Sequence, residues 1–165
     1  MREALRGLAR YVATPVTAKH RFFLFVDKST LPDQALATIA VDSAVHLGIL
    51  SSQVHIRWAL ASGGTLEDRP RYNLSRCFAP FPFPSDDTGL PPALADRISD
   101  LAEQIDAHRK ARQAAHEDVT LTGLYNVLAK LRAEQPLSAK ERLIHEHGLV
   151  AVLRSLHDEL DAAVL

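Results

Sequence analysis

Eight residues near the middle of the chain gather most of its exposed-type chemistry: Glu67, Asp68, Arg69, Arg71, Tyr72, Asn73, Ser75 and Arg76 lie within ten positions. Arginine bridges guanine in two hydrogen bonds, asparagine does the same with adenine, and a carboxylate accepts from the cytosine amine. Arginine, tyrosine and serine also suit phosphate oxygens. Composition alone equally allows a surface loop held by its own ion pairs. Other groupings offer less. His145 and His147 stand two apart, so they do not share a helix face as the paired histidines of a zinc helix do, and no metal site is expected. Cys77 has no base placed beside it and reads as a small buried residue next to Phe78. Gly63-Gly64 lacks the strand, the spaced glycines and the lysine of a phosphate-binding loop. Asp86-Asp87 falls in a polar run with no apolar burial to raise a carboxyl pKa. No nucleophile, base and orienting group come together in the sequence, and no catalytic residue is assigned.

The elements that must carry these residues divide at a proline-rich run, Phe78–Pro92, where neither helix nor central strand is expected. Before it, Arg21–Val26 and Ala35–Val41 read as strands. Val12–Thr17 is a third candidate, placed at an edge because of Pro15. Ser43–Leu50 and Ser51–Ala61 then show helical spacing, with Gly63-Gly64 as the stop. Thr65–Ser75 is expected to be a loop. Trp58 and the phenylalanines 22, 23 and 25 lie on apolar faces and are expected in the core.

After the proline run the pattern is helical. Leu94, Ile98, Leu101 and Ile105 form one stripe from about Pro92 to His116. Leu121, Leu124, Leu128 and Leu131 form a second. Ser138 and Glu141 make a capping box. Gly148 divides a third helix from a fourth, whose stripe is Leu149, Leu153, Leu156 and Leu160. Helices with one apolar stripe each must pack together. The fold class is therefore α+β, a mixed segment over 1–85 and a small helical bundle over 86–165.

The chain's 165 residues carry 24% charged and 47% hydrophobic residues, a soluble profile, and no run is long enough to span a bilayer. The start has no apolar leader, and one cysteine forms no internal disulfide, so a reducing, cytoplasmic setting is expected. The net charge of −1 hides an imbalance, +4 over residues 1–85 and −5 over 86–165. A basic front is compatible with a polyphosphate partner.

The order of three pieces adds a resemblance. They are HRFF before a Pro-Asp turn, the helix pair LGILSSQVHIRWAL, and RYNLSRCFAPFPFP running into a Phe-Pro strap. In this order they resemble the closing part of the target recognition domain of MmeI-like, type IIL restriction-modification enzymes and related adenine methyltransferases. The stretch from Pro92 looks like the C-terminal helical domain that follows it. The resemblance implies contact with double-stranded DNA through Gly64–Ser75, with Glu67, Arg69, Arg71 and Asn73 as the main contacts and Ser75 also at the interface. Tyr72 and Arg76 would anchor the loop or meet phosphate. It also implies a parent enzyme that moves a methyl group from S-adenosylmethionine to adenine N6, some members adding an endonuclease domain. The cofactor and catalytic motifs of such a core do not occur here. The chain is therefore expected to bind no cofactor, to be inactive alone, and to work with a methyltransferase core in the same or another chain. The competing expectation is a helical interaction module without DNA specificity.

Overall fold

A computed structural model describes residues 5–66, 69–84 and 89–165. Three short strands, β1 (Arg10–Pro15), β2 (Leu24–Asp27) and β3 (Leu36–Ile39), form an antiparallel sheet in the order β2-β1-β3. Strand β1 is thus central, not the edge strand that Pro15 suggested. The proline occupies the last position, opposite Leu36, so residues Arg10–Thr14 supply the ladder's donors, and Val16 resumes the pairing through Ala35 O (2.8 Å). Strand β2 begins at Leu24, later than the aromatic run that announced it.

Helices α1 (Ala44–Ser51) and α2 (Gln53–Gly63) follow, with Gly64 at φ 91° as the stop. The expected Thr65–Ser75 loop contains a two-stranded ribbon, β4 (Thr65–Leu66) against β5 (Arg69–Pro70), and a single π-helical turn then covers Leu74–Phe78. The back of the chain forms α3 (Pro92–Ala115), α4 (Leu121–Arg132), α5 (Ala139–His147) and α6 (Val150–Val164). The capping box forms as read: Ser138 accepts from the Glu141 backbone N–H while Glu141 accepts from that of Ser138. Helix α6 starts one residue later than its leucine stripe implied. Leu149 takes a left-handed cap conformation and is exposed, and the buried face is Val150, Leu153, His157 and Leu160.

Helix α1 is buried along most of its length, because it lies between the sheet and the back helices. Gly48 permits this: a Cβ there would stand 2.6 Å from Ile98 Cγ2 on α3 and 3.3 Å from Leu160 Cδ1 on α6. Phe22, Ile49 and Phe81 share one apolar core with Ile98, Leu101, Leu124 and Leu153. Polar groups bind the same halves. The backbone N–H of Phe25 donates to Asp106 Oδ1 (3.2 Å), and the Phe23 carbonyl accepts from Arg109 (2.8 Å). Helix α3 therefore satisfies backbone groups of β2 and of the residue before it, on the side where, among the described residues, no strand pairs with β2. Arg109 is 1% exposed. It also donates to Tyr125 Oη (2.8 Å), which lies 2.9 Å from His157 Nε2. Burial, with Arg109 and Arg132 nearby, pushes the His157 imidazole down to about 3.

Candidate nucleic-acid interface

The ribbon is built out from the end of α2. Helix α2 closes at Gly63, where a Cβ would collide with the Arg71 carbonyl and stand 3.0 Å from Cys77 Sγ. Only glycine lets the chain return this closely over the helix end. The Arg71 N–H then donates to Gly64 O (2.9 Å), Ala18 N–H to Pro70 O (3.3 Å) and Tyr72 N–H to Val16 O (2.7 Å). Thr17 and Arg71 form a bridge. The ribbon is thus stitched to the segment leaving β1.

Beneath it lies a polar anchor. Tyr72 is 2% exposed, and its hydroxyl is 2.9 Å from His55 Nε2. The Arg21 guanidinium stacks 5.2 Å from the Tyr72 ring, donates to Pro70 O (3.1 Å) and Thr14 Oγ1 (3.0 Å), and reaches Pro15 O. Burial raises the Tyr72 pKa and, helped by the Arg21 charge, lowers that of His55 to about 4. Both groups are held neutral, and neither is a surface contact.

The predicted contact residues fall into three groups. Arg69, Arg71 and Arg76 are exposed around the ribbon and the turn that follows it. Asn73 and Ser75 are exposed as well, but Asn73 Oδ1 accepts from Ser75 N (3.0 Å) and Ser75 Oγ (2.8 Å), so this pair shapes the π-turn. Tyr72 points inward. Glu67 lies outside the described residues. Cys77 is fully buried, and its carbonyl accepts from Trp58 Nε1 (3.0 Å). Phe22, Phe23 and Phe25 are core residues as expected.

Two features were missed in the sequence. His55, in an apolar helix pattern, gave no hint that it supports a tyrosine 17 positions away. His147 pairs with Asp118 (3.0 Å) and stacks on His116 with centroids 4.3 Å apart, whereas only His145 had been weighed as its companion. These three offer ligand atoms within 4.8 Å of one another. Arg112 already donates to His116 Nε2 (2.7 Å), so a protein cation holds this cluster.

Residues 9–85 match the family model described as MmeI, target recognition domain. No curated protein matches the chain. Among solved structures, the chain is similar to the type IIL restriction-modification enzyme MmeI in complex with DNA, with a TM-score of 0.67 and 23% identity. The likeness covers 96% of this chain and 18% of that one, and at this identity it speaks for the fold. Among the described residues, no helix is long and apolar enough to cross a membrane.

Proposed function

We propose, from the match of residues 9–85 to the MmeI target recognition domain, that this chain reads duplex DNA for a restriction-modification adenine-N6 methyltransferase, with residues 86–165 as the helical segment that braces the reader. The observation that carries this reading is the ribbon itself. It presents Arg69 on β5 and Arg71 directly after it, in a segment fixed from below by Tyr72, His55 and Arg21. A base-reading arginine discriminates only if its backbone is held in place, since both hydrogen bonds of a bidentate contact depend on orientation. Arg76 contacts phosphate, and Asn73 adds to the reading edge.

Methyl transfer falls to a core elsewhere, which flips the adenine out of the duplex and carries S-adenosylmethionine. The placement of Gly63 and Gly64 supports a chain without a site for that cofactor. Both close a helix, Gly63 packing against the Arg71 carbonyl, whereas a nucleotide loop opens a helix after a strand. Calorimetry of the chain with S-adenosylmethionine is expected to show no micromolar site.

Fluorescence anisotropy on duplex DNA tests the reading. The isolated chain should bind weakly, with steep salt dependence and little sequence preference, and Arg71→Ala should weaken it alike on every sequence. Joined to its methyltransferase core, the same change should relax one base position, at a cost of roughly 1–3 kcal/mol. Methylation-site mapping that shows one unchanged sequence across variants of Glu67, Arg69, Arg71 and Asn73 would overturn the placement of the reading edge. Absence of duplex binding would leave the helical interaction module.

A further inference from the structure

Beside the ribbon runs a groove of about 710 Å³, lined by Thr17, Lys19, His20, Phe22, Arg69 and Thr122 among others. Its walls come from both halves of the chain: the β1–β2 loop and the ribbon on one side, α4 on the other. Lys19 Nζ (3.1 Å) and His20 Nε2 (2.9 Å) both meet the same oxygen, Asn126 Oδ1 on α4. A carbonyl oxygen has two lone pairs, so one asparagine can pin both residues against the helix. This fixes the ammonium group in the groove, with one hydrogen given to Asn126 among the described residues. Among the described residues no carboxylate pairs with Lys19, and none lines the groove. An adjoining cavity of about 280 Å³ shares Lys19 and His20 and adds Arg132 at its rim.

Among the described residues the trough carries Lys19, His20 and Arg69 and no carboxylate, and a basic trough beside a reading arginine is suited to a polyanion that passes the ribbon. We infer that this groove holds the phosphodiester backbone of the duplex, through Lys19 from the loop and Thr122 from α4. The inference rests on the DNA-reading function proposed above and adds a sequence-independent contact to which the helical segment contributes directly. DNA carries one charge per ~1.7 Å of axis. A strand that meets Arg69 therefore places further phosphates before Lys19, which lines the same groove.

Two substitutions test this without relying on loss of structure. Lys19→Ala removes one cation from an exposed site. Thr122→Glu places a carboxylate in the first turn of α4, where the helix dipole favours it. It should therefore leave the melting temperature unchanged or raised while repelling phosphate. Anisotropy titrations of the full chain on a duplex of arbitrary sequence, between 50 and 200 mM salt (~0.05–0.2 M, the range over which phosphate contacts show), should show both variants weakened alike on all sequences. For Lys19→Ala, the slope of log affinity against log salt should flatten by about 0.9, one phosphate contact. Arg97→Ala, outside the groove, should match wild type. Inorganic phosphate at matched ionic strength should not displace the duplex, and displacement would overturn the inference in favour of a free-anion site. Wild-type affinity in both Lys19→Ala and Thr122→Glu, with Arg71→Ala impaired, would overturn the groove contact and leave the ribbon reading intact. No duplex binding by wild type would remove the proposed function and this contact together.

Discussion

Replacing His55 with glutamine should flatten the acid dependence of stability. In the native chain the imidazole is fully buried, one ring nitrogen faces the Tyr72 hydroxyl at 2.9 Å, and Arg21 is close by. Burial and that charge hold its pKa at about 4, below the ordinary 6.5. Below pH 6.5 the unfolded chain takes up the proton and the native chain does not, so the unfolded state binds more protons and stability falls with pH. The loss ends near pH 4, where the native imidazole also protonates. A gap of about 2.5 units at ~1.36 kcal/mol each amounts to about 3 kcal/mol in all, of which roughly 2.5 is lost by about pH 4.5. His157 acts in the same direction, so the quantity to read is the difference between two slopes. Glutamine can still bond the Tyr72 hydroxyl but does not titrate. Urea unfolding of both proteins from pH 7.5 to 4.5 should show wild type losing about 2.5 kcal/mol more than His55→Gln, whatever their stabilities at neutral pH. Parallel losses would refute the idea that the imidazole beneath the ribbon is kept neutral.

Gly63→Ala should cost about 1–3 kcal/mol by pushing against the Arg71 carbonyl, and should lower duplex affinity along with melting temperature. Unchanged values in calorimetry and anisotropy would mean that the ribbon does not rest on the helix end. Gly48→Ala should wedge α1 from α3 at a cost of similar size, about 1–3 kcal/mol. Because both halves share one core, it should shift a single calorimetric transition, not one of two. Ser138→Ala should remove about 1 kcal/mol through the lost cap and leave duplex binding unaltered.

Much of this was legible from local pattern. The helix pair, the glycine stop, the long α3 and the capping box depend on spacing and on single-residue chemistry, and both are written along the chain. The polar composition around Arg69 and Arg71 also fits their exposure. Three things were not legible, and each depends on partners far apart in sequence. Pro15 suggested an edge, yet strand order depends on where β2 and β3 fold back, and a proline at the final position does not interrupt a central strand. Tyr72 is readable as a loop anchor or a phosphate contact, and only its partners decide for the anchor: its ring fills a space closed by Phe23 (centroids 5.3 Å apart) and His55. Asp106 and Arg109 resemble the solvated face of a long helix until β2 is laid beside them and its backbone needs partners.

The way α3 completes β2 bears on how such a reader can be exchanged between proteins. A graft of residues 9–85 alone would carry a sheet whose Phe25 N–H and Phe23 carbonyl lose Asp106 and Arg109, and an α1 surface shaped around an absent Ile98. Whatever helix the recipient supplied would have to present the same acid and base at the same height. The units that travel intact are therefore of two sizes. The smaller is the ribbon with its π-turn, together with the Arg21, His55 and Trp58 side chains that hold it. The larger reaches from β1 through α6. A new specificity is best sought by varying side chains on the first or by moving the second whole, because a cut between the halves parts Phe22, Ile49 and Phe81 from the Ile98, Leu101, Leu124 and Leu153 with which they share a core.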